Sequence, residues 1–360
     1  MMARQWILNS QKGFENSLEY QKDIRIPSPS DLAPKEVLVK LFAASLNYRE
    51  LIIAAPATIV GPIQPPLVPG CDGAGVIVAT GSEVRSFRPG DRVVTHLAPK
   101  VVEERGDDAP CMVSDVSSML GSGSDGTLRS YGIFSEAALV HAPKSLDWLP
   151  ASTLSCTWTT AWNALYGLEG KQVRPGSWVL VQGTGGVSIA ALQLAVAAGA
   201  NVVGTTSTED KAARLAALGA AQTVNYRSNP KSWGVEARKY TPDGRGFDII
   251  VDVGGNETLP QSFAAARANG LLLIVGGVGD MTAEPVPLFP TLLHGCVVRG
   301  ILGASRAQFH ELVKYIDEKG IQPAVDNIVF ELAEARDAYR RLNEKKHFSK
   351  VVLRIDHADV

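Results

Sequence analysis

The sequence predicts an α/β protein in which a β-rich part is followed by a doubly wound parallel sheet. Up to about residue 145, strand-like segments are broken by turn signals such as Arg88-Pro89-Gly90-Asp91. From residue 146, short apolar runs alternate with helical patterns, which is typical of a parallel sheet covered on both faces. A chain of 360 residues is long enough for two such domains.

Each predicted element follows from its local pattern. In the first part, EVLVKLFAAS, GAGVIVATG and DRVVTHL are strand-like, and the Ser-, Gly- and Asp-rich residues 98–127 predict a long, mobile surface loop. In the second part the predicted strands are WVLVQ, NVVGT, TVNY, DIIVDV, LLLIVGG and CVVRGIL, with EDKAARLAALGA and ETLPQSFAAARA as helices between them. The remainder predicts a strand (NIVFEL), a helix (AEARDAYRRL) and a strand (SKVVLRI). We therefore divide the chain into residues 1–145, 146–318 and 319–360, and expect the last segment, too short to fold alone, to complete the first domain.

Composition and charge argue against several classes of protein. A net charge of −2 gives no sign of a nucleic-acid or anionic-membrane partner. The sequence contains no run of about 18 apolar residues, so no membrane span is predicted. The start MMARQWILNSQKGFEN lacks the apolar core of a signal peptide. The cysteines (Cys71, Cys111, Cys156 and Cys296) are scattered without a C-x-x-C pair, which predicts a reduced, cytoplasmic protein.

The segment VQGTGGVSIAALQLAVAAGA, residues 181–200, nearly completes the G-x-G-x-x-G pattern of dinucleotide-binding loops. Trp178–Gln182 predicts a strand and Ile189–Ala198 a helix, so the intervening glycines allow a tight turn close to a ligand. The pyrophosphate would lie on the N–H groups at the helix start. The third glycine normally permits close helix–strand packing, and a serine is small enough to replace it. The predicted binding loop is Gly183, Thr184, Gly185, Gly186, Val187 and Ser188.

The end of the second predicted strand favours NADP(H) over NAD(H). An NAD site usually carries Asp or Glu there to bind the ribose diol. Here the position falls within Thr205–Ser207, whose neutral side chains leave room for a 2′-phosphate and can donate to it. Lys211 lies one helical turn further on, and Tyr226 follows the third strand. We therefore expect Thr206, Ser207, Lys211 and Tyr226 near the 2′-phosphate.

Taken together, these segments resemble the medium-chain dehydrogenase/reductase superfamily, in particular its zinc-type alcohol dehydrogenase-like and quinone oxidoreductase-like members. The resemblance rests on EVLVKLFAASLNYREL, PGCDGAGVIVATGSEVRSFRPGDRVV, LSCTWTTAWNAL, VLVQGTGGVS, LGAAQTVNYR, DVGGNETL, VVRGILGASRAQF and HFSKVVLRI, in this order. It implies a GroES-like β-barrel domain built from both chain ends, a Rossmann domain between them, and an active site in the cleft. It also implies a homodimer formed through the last Rossmann strand.

The resemblance further implies roles for individual residues. Thr160 falls where the superfamily contacts the nicotinamide, and Lys350 falls where a basic residue approaches the cofactor phosphates. Thr206, Ser207, Lys211 and Tyr226 match the 2′-phosphate region of NADP-dependent relatives. The positions that match cofactor-lining strand ends are Val253, Gly254, Val275, Gly276, Gly277 and Val278.

The chain departs from the zinc-dependent members at their catalytic-zinc ligands. Leu46-Asn47-Tyr48-Arg49 stands where they carry Cys and His, and Gly70-Cys71-Asp72 stands where they carry Gly-His-Glu. Only the third position keeps a cysteine, Cys156, and the cluster of four cysteines that binds structural zinc is absent. Cys71, Asp72 and Cys156 could in principle form a three-ligand set, but the segment around Asn47 resembles the zinc-free branch, and we predict no bound metal.

Without zinc, protein groups must stabilise the charge that develops on the substrate oxygen. The candidates are Tyr48, as proton donor or as an aromatic wall, and Asn47, as an amide donor. We predict a zinc-independent NADP(H)-dependent oxidoreductase that transfers hydride between nicotinamide and a small or medium apolar carbonyl compound. The alternatives are reduction of an enone C=C bond, reduction of a quinone, and an NADPH-binding protein without turnover.

Overall fold

A computed structural model describes residues 2–56, 63, 65–279 and 283–357 of the chain. The strands in this part are β1 (Ala3–Leu8), β2 (Leu18–Ile24), β3 (Glu36–Leu46), β4 (Asp72–Thr80), β5 (Arg92–Thr95), β6 (Tyr131–Ser135), β7 (Leu139–His141), β8 (Trp178–Gln182), β9 (Asn201–Thr206), β10 (Gln222–Asn225), β11 (Phe247–Asp252), β12 (Ala266–Ile274), β13 (Val297–Gly300), β14 (Val325–Glu331) and β15 (Lys350–Arg354). The α-helices are α1 (Phe14–Ser17), α2 (Tyr48–Ala54), α3 (Pro99–Arg105), α4 (Trp148–Ala151), α5 (Thr159–Tyr166), α6 (Gly186–Ala197), α7 (Glu209–Ala217), α8 (Trp233–Arg238), α9 (Leu259–Ala265), α10 (Phe289–His294), α11 (Arg306–Lys319) and α12 (Ala335–Asn343). No helix among these residues is long and apolar enough to cross a membrane.

The chain forms two compact units. Unit 1 comprises Met1–Thr159 and Gly303–Val360, and unit 2 comprises Thr160–Leu302. These limits differ from the predicted boundaries after residues 145 and 318. Residues 146–159 and 303–318 join unit 1 because α4 packs on β3 and α11 packs on β7.

Unit 1 is built on a mainly antiparallel sheet with strand order β14-β15-β3-β4-β5-β7, and β6 pairs with β3. The two ends of the chain meet in this sheet, because β15 pairs antiparallel with β3. The last segment of the chain therefore completes the first domain, as its short length required. Apolar side chains from β3, β4, β15 and α12 share one buried core.

Unit 2 is a parallel sheet with strand order β10-β9-β8-β11-β12-β13. All of its strand pairs are parallel. The order runs outward in both directions from the first strand, β8, which is the arrangement of a doubly wound sheet. The predicted parallel architecture is confirmed, and each of the predicted apolar runs contributes a strand.

Residues 98–127 differ from the predicted mobile surface loop. They contain the helix α3 and a 3₁₀ helix over Val113–Ser118. Val101 and Leu120 are buried in the core of unit 1, and the Leu120 N–H donates to the Leu97 carbonyl at 2.9 Å. A segment whose apolar residues join the core is fixed by packing, although its composition is that of a loop.

Candidate functional site

The carboxyl ends of the parallel strands of unit 2 meet at one edge of the sheet. The strand order reverses between β8 and β11, and open α/β sheets bind ligands in the crevice at such a point. The glycine loop follows β8 at this edge. The other predicted cofactor residues at strand ends of this edge are Thr206, Ser207, Tyr226, Val253, Gly254, Val275, Gly276, Gly277 and Val278.

The glycine loop leaves room for a ligand against its backbone. Gly183 has a φ of +72°, in the left-handed region that favours glycine. A Cβ added at Gly183 or at Gly185 would meet no atom within 4 Å. Gly185 is the N-cap of α6, whose first turn carries no acidic residue, and the first N–H groups of a helix have no intrahelical acceptor. The loop therefore fits the pyrophosphate of a dinucleotide.

Ser188, in the position of the third glycine, is buried at the start of α6. Its hydroxyl donates to the Gln182 carbonyl at 2.6 Å, which ties the first turn of the helix to the last residue of β8. A serine side chain thus fits between helix and strand by making its own internal hydrogen bond.

The end of β9 carries no carboxylate. Thr205 and Thr206 are buried, and Ser207 is half-buried. The nearest acidic residues along the chain, Glu209 and Asp210, are exposed in the first turn of α7. A phosphate beside Ser207 would meet hydroxyl groups rather than the carboxylate of an NAD site.

Three adjacent strands bring a polar cluster together inside unit 1. Strand β15 pairs with β3, and β3 pairs with β4, so Lys350, Asn47 and Asp72 lie at neighbouring strand ends. All three are buried. The Lys350 Nζ lies 2.9 Å from the Asp72 Oδ2, and the Ser45 hydroxyl donates to the same oxygen at 2.8 Å.

Asn47 starts the helix α2 through a capping box. Its backbone N–H donates to the Glu50 Oε2 at 2.6 Å, and the Glu50 Oε1 lies 3.1 Å from the Arg49 Nη1. Burial raises the pKa of Glu50, the Arg49 guanidinium opposes that rise, and the Asp72 carboxylate adds to it. Arg49 and Glu50 thus form a charge pair at the start of α2.

Tyr48, the first residue of α2, is 39% exposed. In the part of the chain that the structure describes, its hydroxyl has no hydrogen-bond partner. Tyr48 and Asn47 therefore offer a phenol and an amide at one helix start, and the phenol is open to a ligand.

Comparison with known proteins identifies the family. A model described as "Alcohol dehydrogenase GroES-like domain" matches residues 33–144, and one described as "Zinc-binding dehydrogenase" matches residues 186–318. The chain is 39% identical over 359 residues to a zinc-type alcohol dehydrogenase-like protein of Schizosaccharomyces pombe, covering 99% of this chain and 100% of the relative. The chain belongs to the medium-chain dehydrogenase/reductase superfamily. It is an oxidoreductase with the GroES-like and Rossmann-like domains of that nicotinamide-dependent fold.

Other members of the superfamily that resemble the chain have different activities. A crotonyl-CoA carboxylase/reductase of Cereibacter sphaeroides is 28% identical over 374 residues, covering 95% of this chain and 85% of the relative. A crystal structure of an NAD-dependent alcohol dehydrogenase superimposes with a TM-score of 0.83 at 32% identity, covering 98% of this chain and all of that chain.

The zinc-ligand positions of the zinc-dependent dehydrogenases hold a different set of groups here. Asn47 donates from Nδ2 to the Cys71 Sγ at 3.6 Å, and the Cys71 thiol lies 3.4 Å from the Asp72 Oδ1. A hydrogen bond with Cys156 and burial raise the pKa of the Cys71 thiol. Over residues 2–56, 63, 65–279 and 283–357, no three His, Cys, Asp or Glu side chains are placed to hold a metal ion. Catalytic zinc takes three protein ligands from Cys, His and carboxylate, and the amide of Asn47 and the lysine-paired Asp72 do not fit that requirement.

Lys350 has a different environment from the one that its predicted phosphate contact requires. Its ammonium donates to the Leu46 carbonyl at 2.8 Å, to the Asp72 Oδ2 at 2.9 Å and to the Asn47 Oδ1. An ammonium has three N–H groups, so these acceptors use all of them. A phosphate could be bound only by giving up one of these internal bonds, and we assign Lys350 to the polar cluster instead.

One buried carboxylate at the sheet edge was missed by the sequence reasoning. Asp252, at the end of β11, is fully buried. It accepts from the Gln182 Nε2 at 3.1 Å, the Ser262 hydroxyl at 2.6 Å, the Thr258 hydroxyl at 2.8 Å and the Gly255 N–H at 2.9 Å. These bonds join the end of β11 to the end of β8 beneath the glycine loop. An acidic residue inside the apolar run DIIVDV was the available signal.

The remaining residues that were predicted to contact the cofactor lie partly at these strand ends and partly in helices. Val278 donates its N–H to the Val253 carbonyl at 3.0 Å, so the segments after β11 and β12 are joined. Thr160 is buried in α5, away from the strand ends in sequence. Lys211 is half-buried in α7. Their roles toward the cofactor stay predictions.

Proposed function

We propose that the protein is a zinc-independent, NADP(H)-dependent oxidoreductase that transfers hydride between nicotinamide and a small or medium apolar carbonyl compound. The observation that carries the cofactor proposal is the combination of open space at Gly183 and Gly185 with a strand end, at Thr206, that lacks a carboxylate. Gly183 to Ser188 would hold the pyrophosphate, and Thr206, Ser207, Lys211 and Tyr226 would surround the 2′-phosphate. The relation to an NAD-dependent alcohol dehydrogenase makes the comparison of NADPH with NADH a necessary test.

The proposal of zinc independence rests on the polar cluster. The Asp72 carboxylate already has a counter-ion in Lys350 at 2.9 Å, and the amide oxygen of Asn47 accepts from the same ammonium. A zinc ion added beside Cys71 would bring a third positive centre close to Lys350 and Arg49. One tightly bound zinc per purified chain, measured by inductively coupled plasma mass spectrometry, would overturn this part.

The chemistry divides between the cofactor and the chain. Bound nicotinamide would supply or accept the hydride. The protein must orient the acceptor and donate hydrogen bonds to the oxygen on which negative charge develops. Asn47 would donate from Nδ2 to that oxygen, and Tyr48 would donate from its free hydroxyl and supply the proton.

The reaction type is tested with NADPH and an α,β-unsaturated ketone, with product analysis by mass spectrometry and NMR. An allylic alcohol means hydride transfer to the carbonyl carbon and supports the proposal. A saturated ketone means hydride transfer to the β-carbon, and it supports the second candidate, an enone reductase, which the relation to a crotonyl-CoA carboxylase/reductase favours. A quinone assayed in parallel tests the third reaction.

The alternative from another class is an NADPH-binding protein without turnover. Tight binding of NADPH with no consumption against ketones, aldehydes, enones and quinones would establish it and remove the proposed enzyme activity. The same titration with NADH tests the cofactor preference, because the proposal requires the tighter binding of NADPH.

We also propose a homodimer formed through the edge strand β13 of unit 2. In the described residues, β13 is the last strand on its side of the sheet. The segment that precedes β13 in the chain carries large exposed apolar side chains, among them Leu288, Leu292 and Leu293 at 70–80%. An unpaired edge with exposed apolar residues suits a second copy of the chain. We propose a cytoplasmic location as well, which is supported by the absence of a disulfide at each of the four described cysteines.

A further inference from the structure

The ammonium of Lys350 lies where it controls the orientation of a neighbouring amide. Lys350 is the first residue of β15 and is 2% exposed. It donates to the side chain of Asn47, to the carbonyl of Leu46 and to the carboxylate of Asp72. Its position is fixed from three sides by β15, β3 and β4.

An amide can be turned by 180° with little change in shape, so its neighbours decide which atom faces which way. Lys350 can only donate, and therefore only the Oδ1 of Asn47 can face it. The Nδ2 must then point to the opposite side, where it lies 3.6 Å from the Cys71 Sγ. A thiol sulfur is a weak acceptor, and in the described part of the chain Nδ2 has no stronger one.

The same ammonium balances the charge of Asp72. This carboxylate is fully buried and is bound to Lys350 and to the Ser45 hydroxyl. Without Lys350, an unpaired negative charge would lie beside the amide to which we assign the binding of the developing oxyanion. Losing Lys350 would therefore remove the charged donor that holds the Asn47 Oδ1 and leave the Asp72 carboxylate without its counter-ion, and we expect both changes to affect the same step.

We propose that Lys350 is a positioning residue for the hydride-transfer reaction. It holds the Asn47 amide with Oδ1 toward the ammonium and Nδ2 toward the Cys71 sulfur, so that Nδ2 is the donor offered on that side, and it neutralises Asp72 behind that donor. This inference rests on the proposed function, because it acts only through the role of Asn47. Lys350 would act through its neighbours, because its ammonium donates to Leu46, Asn47 and Asp72.

The test compares kcat and KM in a set of variants with the substrate that the wild-type protein reduces best. Lys350→Met combined with Asp72→Asn removes the ammonium without leaving an unpaired carboxylate, so that the fold is retained. We expect kcat to fall by about 10- to 100-fold, a loss comparable to or smaller than removal of an oxyanion donor, with the KM for NADPH unchanged. Asn47→Ala should lower kcat by about 100-fold, and adding it to the Lys350→Met/Asp72→Asn variant should cost less than about threefold more.

Asn47→Asp supplies a second test that does not remove Lys350. One carboxylate oxygen can still accept from the ammonium, while the N–H groups of Nδ2 are lost. The variant carries a second buried carboxylate that shares the ammonium with Asp72, so we expect a lower melting temperature, and the folded protein should have a kcat as low as that of Asn47→Ala. A kcat close to wild type would overturn the assigned orientation of the amide.

The outcomes separate this inference from the proposed function. No turnover by the wild-type protein overturns the proposed function. The positioning role alone is overturned if Asn47→Ala lowers kcat but Lys350→Met/Asp72→Asn leaves it at the wild-type value. It is also overturned if the reductions in kcat caused by Asn47→Ala and by Lys350→Met/Asp72→Asn are fully additive. Wild-type kcat in Asn47→Ala overturns both the catalytic role of Asn47 and the positioning role of Lys350.

Discussion

Replacing Gly185 with alanine would test the glycine loop at little cost to the fold. The backbone of Gly185 is extended, with φ −79° and ψ 174°, which any residue adopts. The added Cβ meets no protein atom within 4 Å. Alanine is a poorer helix N-cap than glycine, so we expect the free energy of unfolding to fall by no more than about 1 kcal/mol.

The same methyl group would occupy the space that we assign to the pyrophosphate. Loss of one charge-assisted hydrogen bond from a backbone N–H costs about 1.5–3 kcal/mol, equivalent to a roughly 10- to 150-fold increase in Kd. We therefore expect a Kd for NADPH that is larger by this factor in isothermal titration calorimetry. Differential scanning calorimetry of the same protein should show a melting temperature close to that of the wild type.

Two other glycines provide controls. Gly300 in β13 likewise has no positive φ and no atom within 4 Å of an added Cβ, so Gly300→Ala makes the same chemical change outside the loop and should leave the NADPH Kd unaltered. Gly183→Ala should also destabilise the fold, by about 1–2 kcal/mol, because its φ is +72°. An unchanged NADPH Kd in a folded Gly185→Ala variant would refute the assignment of this loop to the pyrophosphate.

Three further predictions test the cofactor preference, the pH dependence and the dimer. Ser207→Asp should raise the Kd for NADPH by roughly 10- to 150-fold, because a phosphate contact worth about 1.5–3 kcal/mol is lost, and it should leave the Kd for NADH unchanged. The neutral Ser207→Asn should leave the Kd for NADPH unchanged. Equal weakening of the binding of both cofactors by Ser207→Asp would contradict the 2′-phosphate assignment. Burial, together with the charge of Arg306, lowers the pKa of His96 to about 3. Since an unfolded histidine titrates near 6.5, the unfolded state binds the extra proton below that pH, and about 2 kcal/mol of stability should be lost between pH 7 and pH 5. Urea unfolding of His96→Leu should show a shallower acid dependence, and an unchanged slope would count against the buried neutral histidine. Leu292→Asp should convert a dimer to a monomer in light scattering, and a dimeric variant would exclude α10 from the interface.

The fold of unit 2 was predictable because its signals are local. The run WVLVQ coincides with β8, and the following glycines end it and begin α6. Each strand of a buried parallel sheet is apolar along its whole length, so the pattern marks it without knowledge of its neighbours. The prediction for residues 98–127 was wrong for the complementary reason. The few apolar residues of this segment are buried by contacts with distant parts of unit 1, which a local stretch of sequence does not contain.

The polar cluster of unit 1 lay beyond local reasoning. Asn47 and Cys71 were recognised because they stand at positions where relatives carry zinc ligands. Lys350, the partner of Asp72, is 278 residues away along the chain. No pattern in the sequence near Lys350 predicts that its ammonium is buried. Sheet register decides this pairing, and register between distant strands depends on the whole of unit 1.

The discontinuity of unit 1 has a consequence for the order in which the protein is made. Strands β3 and β4 leave the ribosome before unit 2, but β15, which pairs with β3, is synthesised only after all of unit 2. Unit 2 is continuous and can fold while the chain is still growing. Until Lys350 has been synthesised, the Asp72 carboxylate has no counter-ion and must stay in contact with water. A chain interrupted before residue 350 would therefore contain all of unit 2 but a unit 1 that lacks β15.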